Sequence, residues 1–462
     1  MTVATIKQNI FSPSEELQMK YTLWMNHLLV VYAFFMPISQ QAKTAIFFII
    51  LILFLLRNNF NIYIYPNLKN KIIQAILLFF LINIVWIIGS DNIDMAKKVI
   101  KSASYLTYTL IFISIIDKRF VNRILTTFIL SILLSEVISY LVGFKLLPST
   151  LFLYGTEVYK SSFTDPAIFL SHTKYSSVLS ITIMILIYKI INDKNQILRK
   201  SFTIIFIMTA TINLFTIGGR LGYLLFIILF IFTIFFIIKK KYKKKIFISI
   251  AILLSIFYIA YSTNGIYKQR LNTSINSIKS LIDNPIESFQ SSFGQRVGIW
   301  YYSKDTIKNN LIFGVGTGDH MDSIYSNIPN KHNFLKQVSH PHNQYISIIT
   351  QFGIIGLIVF INIFYQILKF NFTDTKQKFL AYIITLGIFT SFFFVSDINK
   401  FWFPLWAFIL SLSISTKIYK NIKLNKINSK LLTKYILFTI LIAIYTLIQG
   451  SSFNFSKPFL NL

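Results

Sequence analysis

Long apolar segments at short intervals are the feature that most constrains the fold of this chain. A helix needs about 20 apolar residues to cross a bilayer, and lipid offers no hydrogen-bond partner to an irregular backbone. The segments lie near residues 22–40, 44–56, 72–89, 99–116, 121–143, 175–192, 201–217, 221–239, 246–262, 344–366, 379–395, 402–416 and 435–449. Because some are short, the sequence predicts an all-α, polytopic membrane helix bundle with about 11–13 transmembrane helices.

Composition narrows the class of protein further. Charged residues make up only 13% of the 462 residues, too few to cover the surface of a soluble protein of this length. The formal net charge of +29 does not indicate nucleic-acid binding, because the lysines lie in short loops between apolar segments. There they set topology and meet anionic headgroups, so we expect membrane lipid and no nucleic acid as partners. The absence of cysteine excludes disulfides and thiolate chemistry.

The lysine-rich loops also predict an orientation. Cytoplasmic loops of membrane proteins carry an excess of Lys and Arg, and a cytoplasmic N-terminus puts 239–245 and 417–434 inside. The long connection 263–343 then lies on the extracytoplasmic face, and we expect short helices within it. One integral membrane domain is therefore expected, with N-terminal transmembrane helices in 1–262, the large loop in 263–343 and C-terminal transmembrane helices in 344–462.

The large loop and its borders concentrate the polar candidates. Residues 294–310 are predicted to form a helix that places Arg296, Trp300 and Lys304 on one face at i, i+4 spacing. The glycine-rich stretch 313–318 follows, and we expect a tight turn there. Five of the six histidines fall on or beside the predicted outer face: His172, His320, His332, His340 and His342. The sequence therefore predicts that the chemistry takes place on that face.

Arg220 is a second candidate. It lies in the stretch TIGGRLGYLLF, between two apolar segments with almost no loop. An arginine this close to hydrocarbon is costly and calls for an anionic partner. The two preceding glycines leave the backbone open to close approach. A lipid-linked phosphate would suit both features.

The motif HPHN stands directly before the apolar segment 344–366. As a neutral imidazole, His342 can take a proton from an attacking sugar hydroxyl. The alternative is a polar cap at the start of the helix, a role that Asn343 fits equally well. Pro341 fixes the backbone between the two histidines, so we expect His340 and His342 to point in different directions.

Together these elements resemble the O-antigen ligase/polymerase family of bacterial envelope glycosyltransferases. They are GGR at a helix junction, Arg and Trp early in a large outer loop followed by GVGTG, and HNQYISIITQFGIIG entering the next helix. The most specific part is a His-Asn pair followed by Gly-x-x-Gly, here His342, Asn343, Gly353 and Gly356. Members usually carry an acidic residue where this chain has Gln351, and serine where it has Gly219.

The resemblance implies a membrane helix bundle in the bacterial inner membrane, with one large periplasmic loop at the active site. It implies a donor glycan linked to undecaprenyl diphosphate and no cofactor. The acceptor would be a sugar hydroxyl, on the lipid A core in ligases and on another lipid-linked repeat in polymerases. By resemblance, Arg220 and Arg296 bind the donor diphosphate and His342 is catalytic. His340, Asn343 and Trp300 would support the site.

These features favour a ligase-type, metal-independent, inverting glycosyltransferase. A polymerase of the same family is the first alternative, since the motifs are shared. A polysaccharide flippase or exporter is the second, although a transporter should show internal repeats and ionisable residues at mid-bilayer. A metal site built from GDHMD and HPH is a further alternative, but its spacing fits no standard zinc pattern.

Overall fold

Helices dominate the computed structural model, which describes residues 13–153, 156–192, 197–238, 243–284, 286–396 and 401–419. The first nine α-helices are α1 (Glu15–Phe35), α2 (Gln40–Arg57), α3 (Phe60–Tyr63), α4 (Tyr65–Leu68), α5 (Lys71–Val85), α6 (Ile93–Ile115), α7 (Val121–Gly143), α8 (His172–Asn192) and α9 (Ile197–Thr216). The others are α10 (Arg220–Ile237), α11 (Lys243–Thr263), α12 (Gly265–Asp283), α13 (Ser292–Asn309), α14 (His320–Ser326), α15 (Gln344–Lys369), α16 (Thr375–Ser391) and α17 (Trp402–Ile414). Short 3-10 helices occupy Lys118–Phe120, Glu287–Gln290 and Asn330–Gln337, and an antiparallel hairpin pairs β1 (Thr150–Leu153) with β2 (Thr156–Lys160).

The predicted all-α, polytopic bundle is confirmed. Each predicted apolar segment from 22–40 to 402–416 coincides with a helix, and the segment 435–449 lies outside the described residues. Among the described residues, six helices are long and apolar enough to cross a membrane, and eight if each of two bent pairs is one span. The remaining helices are shorter or more charged; α6, for example, carries Asp94, Lys97 and Lys98 near its start.

The chain divides into two compact units, each assembled from separate stretches of sequence. The first comprises Met1–Asn59, Ile115–Tyr223 and Thr416–Leu462, and the second comprises Phe60–Ser114 and Leu224–Ser415. The three-part division at 262 and 343 follows the order of the sequence and remains a prediction.

A buried polar node holds the first unit together where α1 meets the chain between α6 and α7. The Asn26 amide donates to the Ile115 carbonyl at 2.9 Å and accepts from the Asp117 backbone N–H at 2.9 Å. The Asp117 carboxylate, fully buried, pairs with the Arg119 guanidinium at 2.6 Å. These contacts satisfy backbone groups that have no helical partner, as a buried helix end requires.

In the second unit, α15 is broken at Gly353, whose backbone has φ +62°. The break frees backbone groups of α15. The segment 311–318, which includes the glycine-rich stretch 313–318, supplies hydrogen-bond partners for them. Ile354 N–H donates to the Leu311 carbonyl at 2.8 Å, and Val315 N–H donates to the Thr350 carbonyl at 3.0 Å. The stretch therefore runs against the opened turn of the helix and replaces its missing hydrogen bonds.

Glycine is required on both sides of this crossing. A Cβ on Gly353 would collide with the Ile312 carbonyl, and a Cβ on Gly314 would collide with the Gln351 backbone. The Gln351 side chain adds a third link, because its Oε1 accepts from Gly318 N–H at 2.9 Å. The glycine-rich stretch that was expected to form a turn thus meets Gly353 in one backbone-to-backbone crossing.

The long loop has a hydrophobic core of its own. Side chains from α13, α14 and the two neighbouring 3-10 helices form it: Phe289, Ile299, Tyr302, Met321, Ile324, Ile328 and Leu335. Burial of these apolar side chains stabilises the loop as an ordered structure rather than an extended linker.

We predict that Gly353→Ala strongly destabilises the protein. The positive φ alone costs a residue with a Cβ about 1–2 kcal/mol, and the collision with Ile312 adds to this. Gly265→Ala is the matched control, since a Cβ there meets nothing within 4 Å and alanine favours the helix. Thermal unfolding of the purified proteins in detergent measures both. Equal unfolding temperatures for the two variants would contradict the crossing.

Candidate functional site

The HPH turn brings two imidazoles together directly before α15. The ring centroids of His340 and His342 lie 3.9 Å apart at 50°. The expectation that these side chains point in different directions was wrong. Its physical reason is the backbone of His342, which adopts the left-handed conformation with φ +53° and turns the second ring back towards the first.

The turn also fixes the protonation of its histidines. The backbone N–H of His342 donates to Nδ1 of His340 at 3.3 Å, so that nitrogen carries no proton when the bond forms. Burial and the nearby Arg296 charge lower the pKa of His340. Burial, with His340 and Arg296 adding to it, lowers the pKa of His342 to about 3. Both imidazoles are therefore neutral near pH 7, and His342 has a free lone pair.

Helix α13 holds this turn from the side. It was predicted over 294–310 and is present as Ser292–Asn309, with the Ser291 hydroxyl capping its start. The Trp300 indole N–H donates to the Pro341 carbonyl at 2.7 Å, which ties the helix to the middle of the turn. Arg296, one turn earlier on the same helix, is half-buried. Arg296 and Trp300 therefore belong to the same site as the two histidines.

Asn343 anchors the other end of the turn as the N-cap of α15. Its side-chain oxygen accepts from the backbone N–H groups of Tyr345 at 2.9 Å and Ile346 at 3.0 Å. The next residue, Gln344, donates its N–H to the Phe392 carbonyl at the end of α16 at 2.8 Å. The contacts of Asn343 are therefore those of a helix N-cap, and this cap fixes the position of the neighbouring His342.

A mainly apolar cavity of about 360 Å³ borders the turn within the second unit. Its walls come from residues of α10, α13, the end of α16 with the residues that follow it, and the turn itself: Leu224, Ile228, Trp300, Asn343, Thr390, Phe393 and Phe394. The cavity places apolar space beside two of the predicted site residues, as a site for a lipid-linked substrate requires.

His320 lies near His340 of the HPH turn. The sequence presented it only as a possible metal ligand. It is fully buried at the start of α14, and neither ring nitrogen has a hydrogen-bond partner among the described residues. Burial lowers the pKa of His320 to about 4, with Asp322 opposing and His340 adding to the effect. The Tyr325 hydroxyl ties α14 to the Val338 carbonyl at 2.7 Å, two residues before His340.

The acidic residues of GDHMD are occupied by other contacts. The Asp319 carboxylate accepts from the backbone N–H groups of Asp91 at 3.1 Å and Asn92 at 2.8 Å. Asp322 accepts from the Asn92 amide at 2.6 Å. Within the described ranges, no group of three or more His, Asp or Glu side chains is arranged to hold a metal ion. These aspartates act as anchors for the backbone at the start of α6.

His332 lies outside the site although the sequence grouped it with the other outer histidines. It is buried in the loop, and its Nδ1 shares a hydrogen bond of 2.6 Å with the Tyr302 hydroxyl. It therefore stabilises the loop core.

Arg220 belongs to the first unit, as the first residue of α10, and is half-buried. A Cβ on Gly219 would collide with the Ser176 side chain of α8. The close approach that the glycines allow is therefore made by α8. Gly218 N–H donates to the Asp165 carboxylate at 3.1 Å, and His172 Nδ1 lies 3.4 Å from the same carboxylate.

The position of Arg220 has an electrostatic consequence. The N-terminus of a helix carries the positive end of the helix dipole. A cation there is unfavourable, whereas an anion that contacts both the guanidinium and the helix end is favoured. The geometry of the GGR turn is thus compatible with an anionic ligand, and the assignment of Arg220 to a phosphate remains a prediction.

A comparison with known protein families finds a match for part of this chain. Residues 203–361 match the family described as O-antigen ligase, about a third of the 462 residues. Every predicted site residue, from Arg220 to Asn343, falls inside the matched segment. The resemblance seen in the motifs is thereby confirmed. A search of the curated proteins finds no match.

We predict that Asn343→Ala lowers the free energy of unfolding by about 1 kcal/mol, because the N-cap is lost. Asn343→Asp is the matched control, since a carboxylate also accepts from the N–H groups of Tyr345 and Ile346 and suits a helix N-terminus. Thermal unfolding in detergent compares the two. A loss of equal size in both variants would show that the amide has another role.

Proposed function

We propose that the protein is an O-antigen ligase-type glycosyltransferase, because residues 203–361 match the O-antigen ligase family. It would move a glycan from undecaprenyl diphosphate to a sugar hydroxyl of the lipid A core, on the periplasmic face of the inner membrane. The observation that carries the proposal is the HPH turn, where a neutral imidazole stands beside an arginine and an apolar cavity.

In this proposal His342 is the general base. Its free lone pair accepts the proton of the acceptor hydroxyl as the oxygen attacks the anomeric carbon of the donor. The new glycosidic C–O bond forms on the face opposite to the leaving group, so the anomeric configuration inverts. The bond to the diphosphate breaks with its electron pair on the departing oxygen. The diphosphate leaves as an anion and needs no proton, and His342 later returns its proton to water.

The arginines are proposed to bind the diphosphate. The Arg guanidinium presents several N–H donors in a planar fork that matches phosphate oxygens, and such pairs are among the strong hydrogen bonds. Arg296 acts electrostatically on both imidazoles of the turn. Arg220 stands at a helix N-terminus, where an anion is favoured. A guanidinium beside the diphosphate would stabilise it as the leaving group without a metal ion.

Donor binding would also activate the base. In the free protein, burial lowers the pKa of His342 to about 3, with His340 and the positive charge of Arg296 adding to the effect. A base with so low a pKa accepts a proton poorly. A bound diphosphate offsets that positive charge and raises the pKa of His342. Proton transfer would then become favourable only when the donor is in place.

In this account, Trp300 and His340 support the proposed base structurally. Trp300 holds the carbonyl of the turn, and His340 receives the N–H of His342 through Nδ1. Both contacts fix the direction of the base, and a well-placed base needs less reorganisation during the reaction. Trp300 also lines the cavity, where it would contact a sugar or the first part of the isoprenoid.

A polymerase of the same family is the second candidate, because the family match is equally compatible with it. The two functions share the base and the diphosphate clamp and differ in the acceptor. An assay with purified protein and lipid-linked donor therefore offers two acceptors in parallel, lipid A core and a second lipid-linked repeat. Elongation of the core supports a ligase, and elongation of the lipid-linked repeat supports a polymerase.

In this assay, run in excess EDTA, we predict that His342→Ala lowers the transfer rate by about 10²–10⁴-fold, the usual value of a positioned base. His342→Asn should lose as much, although asparagine tolerates the left-handed backbone of the turn. Arg296→Lys should also lose activity, because lysine cannot bind phosphate bidentately. Arg270→Lys, in the same loop, is the control and should keep its activity.

Two results would contradict the mechanism. Full activity of His342→Asn would mean that His342 is not the general base and that the HPH motif only forms a turn. Loss of wild-type activity in EDTA, with recovery on adding one divalent ion, would replace the metal-free mechanism. Unfolding temperatures of all variants show whether any loss of rate comes from misfolding.

A further inference from the structure

The connection between α11 and α12 is a sharp bend between two helices of different character. Helix α11 exposes large apolar side chains along its length, among them Phe247, Leu254 and Tyr258. Such a surface is stable in contact with lipid chains. The helix ends at Thr263, and α12 starts at Gly265 after a bend of 101°. If α11 crosses the bilayer, α12 runs nearly parallel to its surface.

Helix α12 has one face that packs on the protein. Tyr267 is buried, and Leu271 and Leu281 are half-buried. Leu281 contacts the core of the loop. The Tyr267 ring packs against the Phe257 ring of α11, with the ring centroids 6.1 Å apart. The contacts of Tyr267 and Leu281 with the rest of the protein fix the rotation of α12 about its axis.

The same side of α12 continues as an exposed apolar face towards the end of the helix. Ile275, Ile278 and Ile282 are 42%, 47% and 73% exposed. Their spacing of three, four and seven residues puts them on one side of the helix. Three exposed isoleucines on one side of a helix are unfavourable in water, since burial of each aliphatic side chain stabilises by about 1.5–3 kcal/mol. An apolar phase is therefore expected to cover this face.

Lysines border the exposed apolar face. Lys268 and Lys279 are exposed, and their positions on the helix lie next to that of Ile275. The Lys268 ammonium also lies 5.4 Å from the ring of Tyr261, in the last turn of α11. On the far side, Gln269 and Asn276 are exposed and polar. An apolar face with a basic border and a polar back is the pattern of a helix that lies in a membrane interface.

We propose that α12 is an interfacial helix, with Ile275, Ile278 and Ile282 in the boundary of the acyl chains and Lys268 and Lys279 at anionic headgroups. The lipid surface, rather than a protein partner, is the occupant because α12 follows a lipid-facing helix after a single residue, Asn264. That connection keeps the start of α12 at the depth where α11 ends.

The interfacial helix would set the height of the proposed catalytic site. Helix α12 leads through the 3-10 helix Glu287–Gln290 into α13, and Phe289 between them is buried in the loop core with Ile299. Helix α13 carries Arg296 and Trp300. A fixed depth for α12 thus holds these side chains near the membrane surface, where a lipid-linked substrate presents its headgroup. This consequence rests on the proposed function, whereas the placement of α12 does not.

The absence of cysteine from the sequence allows a direct test. Ile278→Cys and the matched control Asn276→Cys are labelled with an environment-sensitive fluorophore, and the full chain is reconstituted in phosphatidylcholine vesicles. Lipids carrying a spin label near the headgroup end of the acyl chain should quench the label at 278 and not at 276. Iodide in the buffer should quench the label at 276 and not at 278. Adding phosphatidylglycerol to the vesicles should strengthen the lipid quenching at 278.

Two outcomes would overturn the proposal. Iodide quenching of equal size at both positions would mean that the isoleucine face is in water. Protection of position 278 from both iodide and spin-labelled lipid would mean that protein, including a second copy of this chain, covers the face. Neither outcome bears on glycan transfer, which is measured separately with the unlabelled protein, so failure of one proposal is distinguishable from failure of the other.

Discussion

The second unit depends on one backbone crossing, in which the glycine-rich stretch 311–318 fills the break of α15 at Gly353. A helix turn that opens leaves N–H and C=O groups without partners, and a membrane interior offers no water to satisfy them. The loop supplies those partners, as the pair Ile354–Leu311 shows. The crossing therefore joins the long loop to the membrane helix. The crossing at Gly353 lies ten residues after Asn343, the N-cap of α15, and therefore fixes the loop beside the HPH turn.

Electrostatics connects that architecture to the proposed chemistry. Arg296, His340 and His342 are basic groups that meet in a partly buried space. Burial and the positive charge of Arg296 keep the imidazoles neutral, at the cost of making His342 a weak base. An anionic donor offsets the effect of the arginine, because its charge favours the protonated imidazole. The same charges can therefore select the donor and delay proton transfer until it binds.

The sequence predicted the features that depend on local pattern. Apolar segments indicated the helices, and the i, i+4 spacing of Arg296 and Trp300 indicated α13. Features that depend on tertiary contact were missed or misread. The left-handed backbone of His342 leaves no mark in the motif HPHN, and it is what brings the two rings together. The break at Gly353 was missed, since the loop segment that meets it is distant in sequence. The burial of His320 was missed, because it depends on the packing of α14 against the rest of the protein.

The central claim is that His342 is a neutral base whose basicity depends on the bound donor. Nuclear magnetic resonance of the protein with isotope-labelled histidine measures this directly, with His342→Asn used to assign the signal. We expect the pKa of His342 to lie near 3 in the free protein and to rise when undecaprenyl diphosphate is added. A pKa near the ordinary value of about 6.5 in the free protein, unchanged by undecaprenyl diphosphate, would contradict the account.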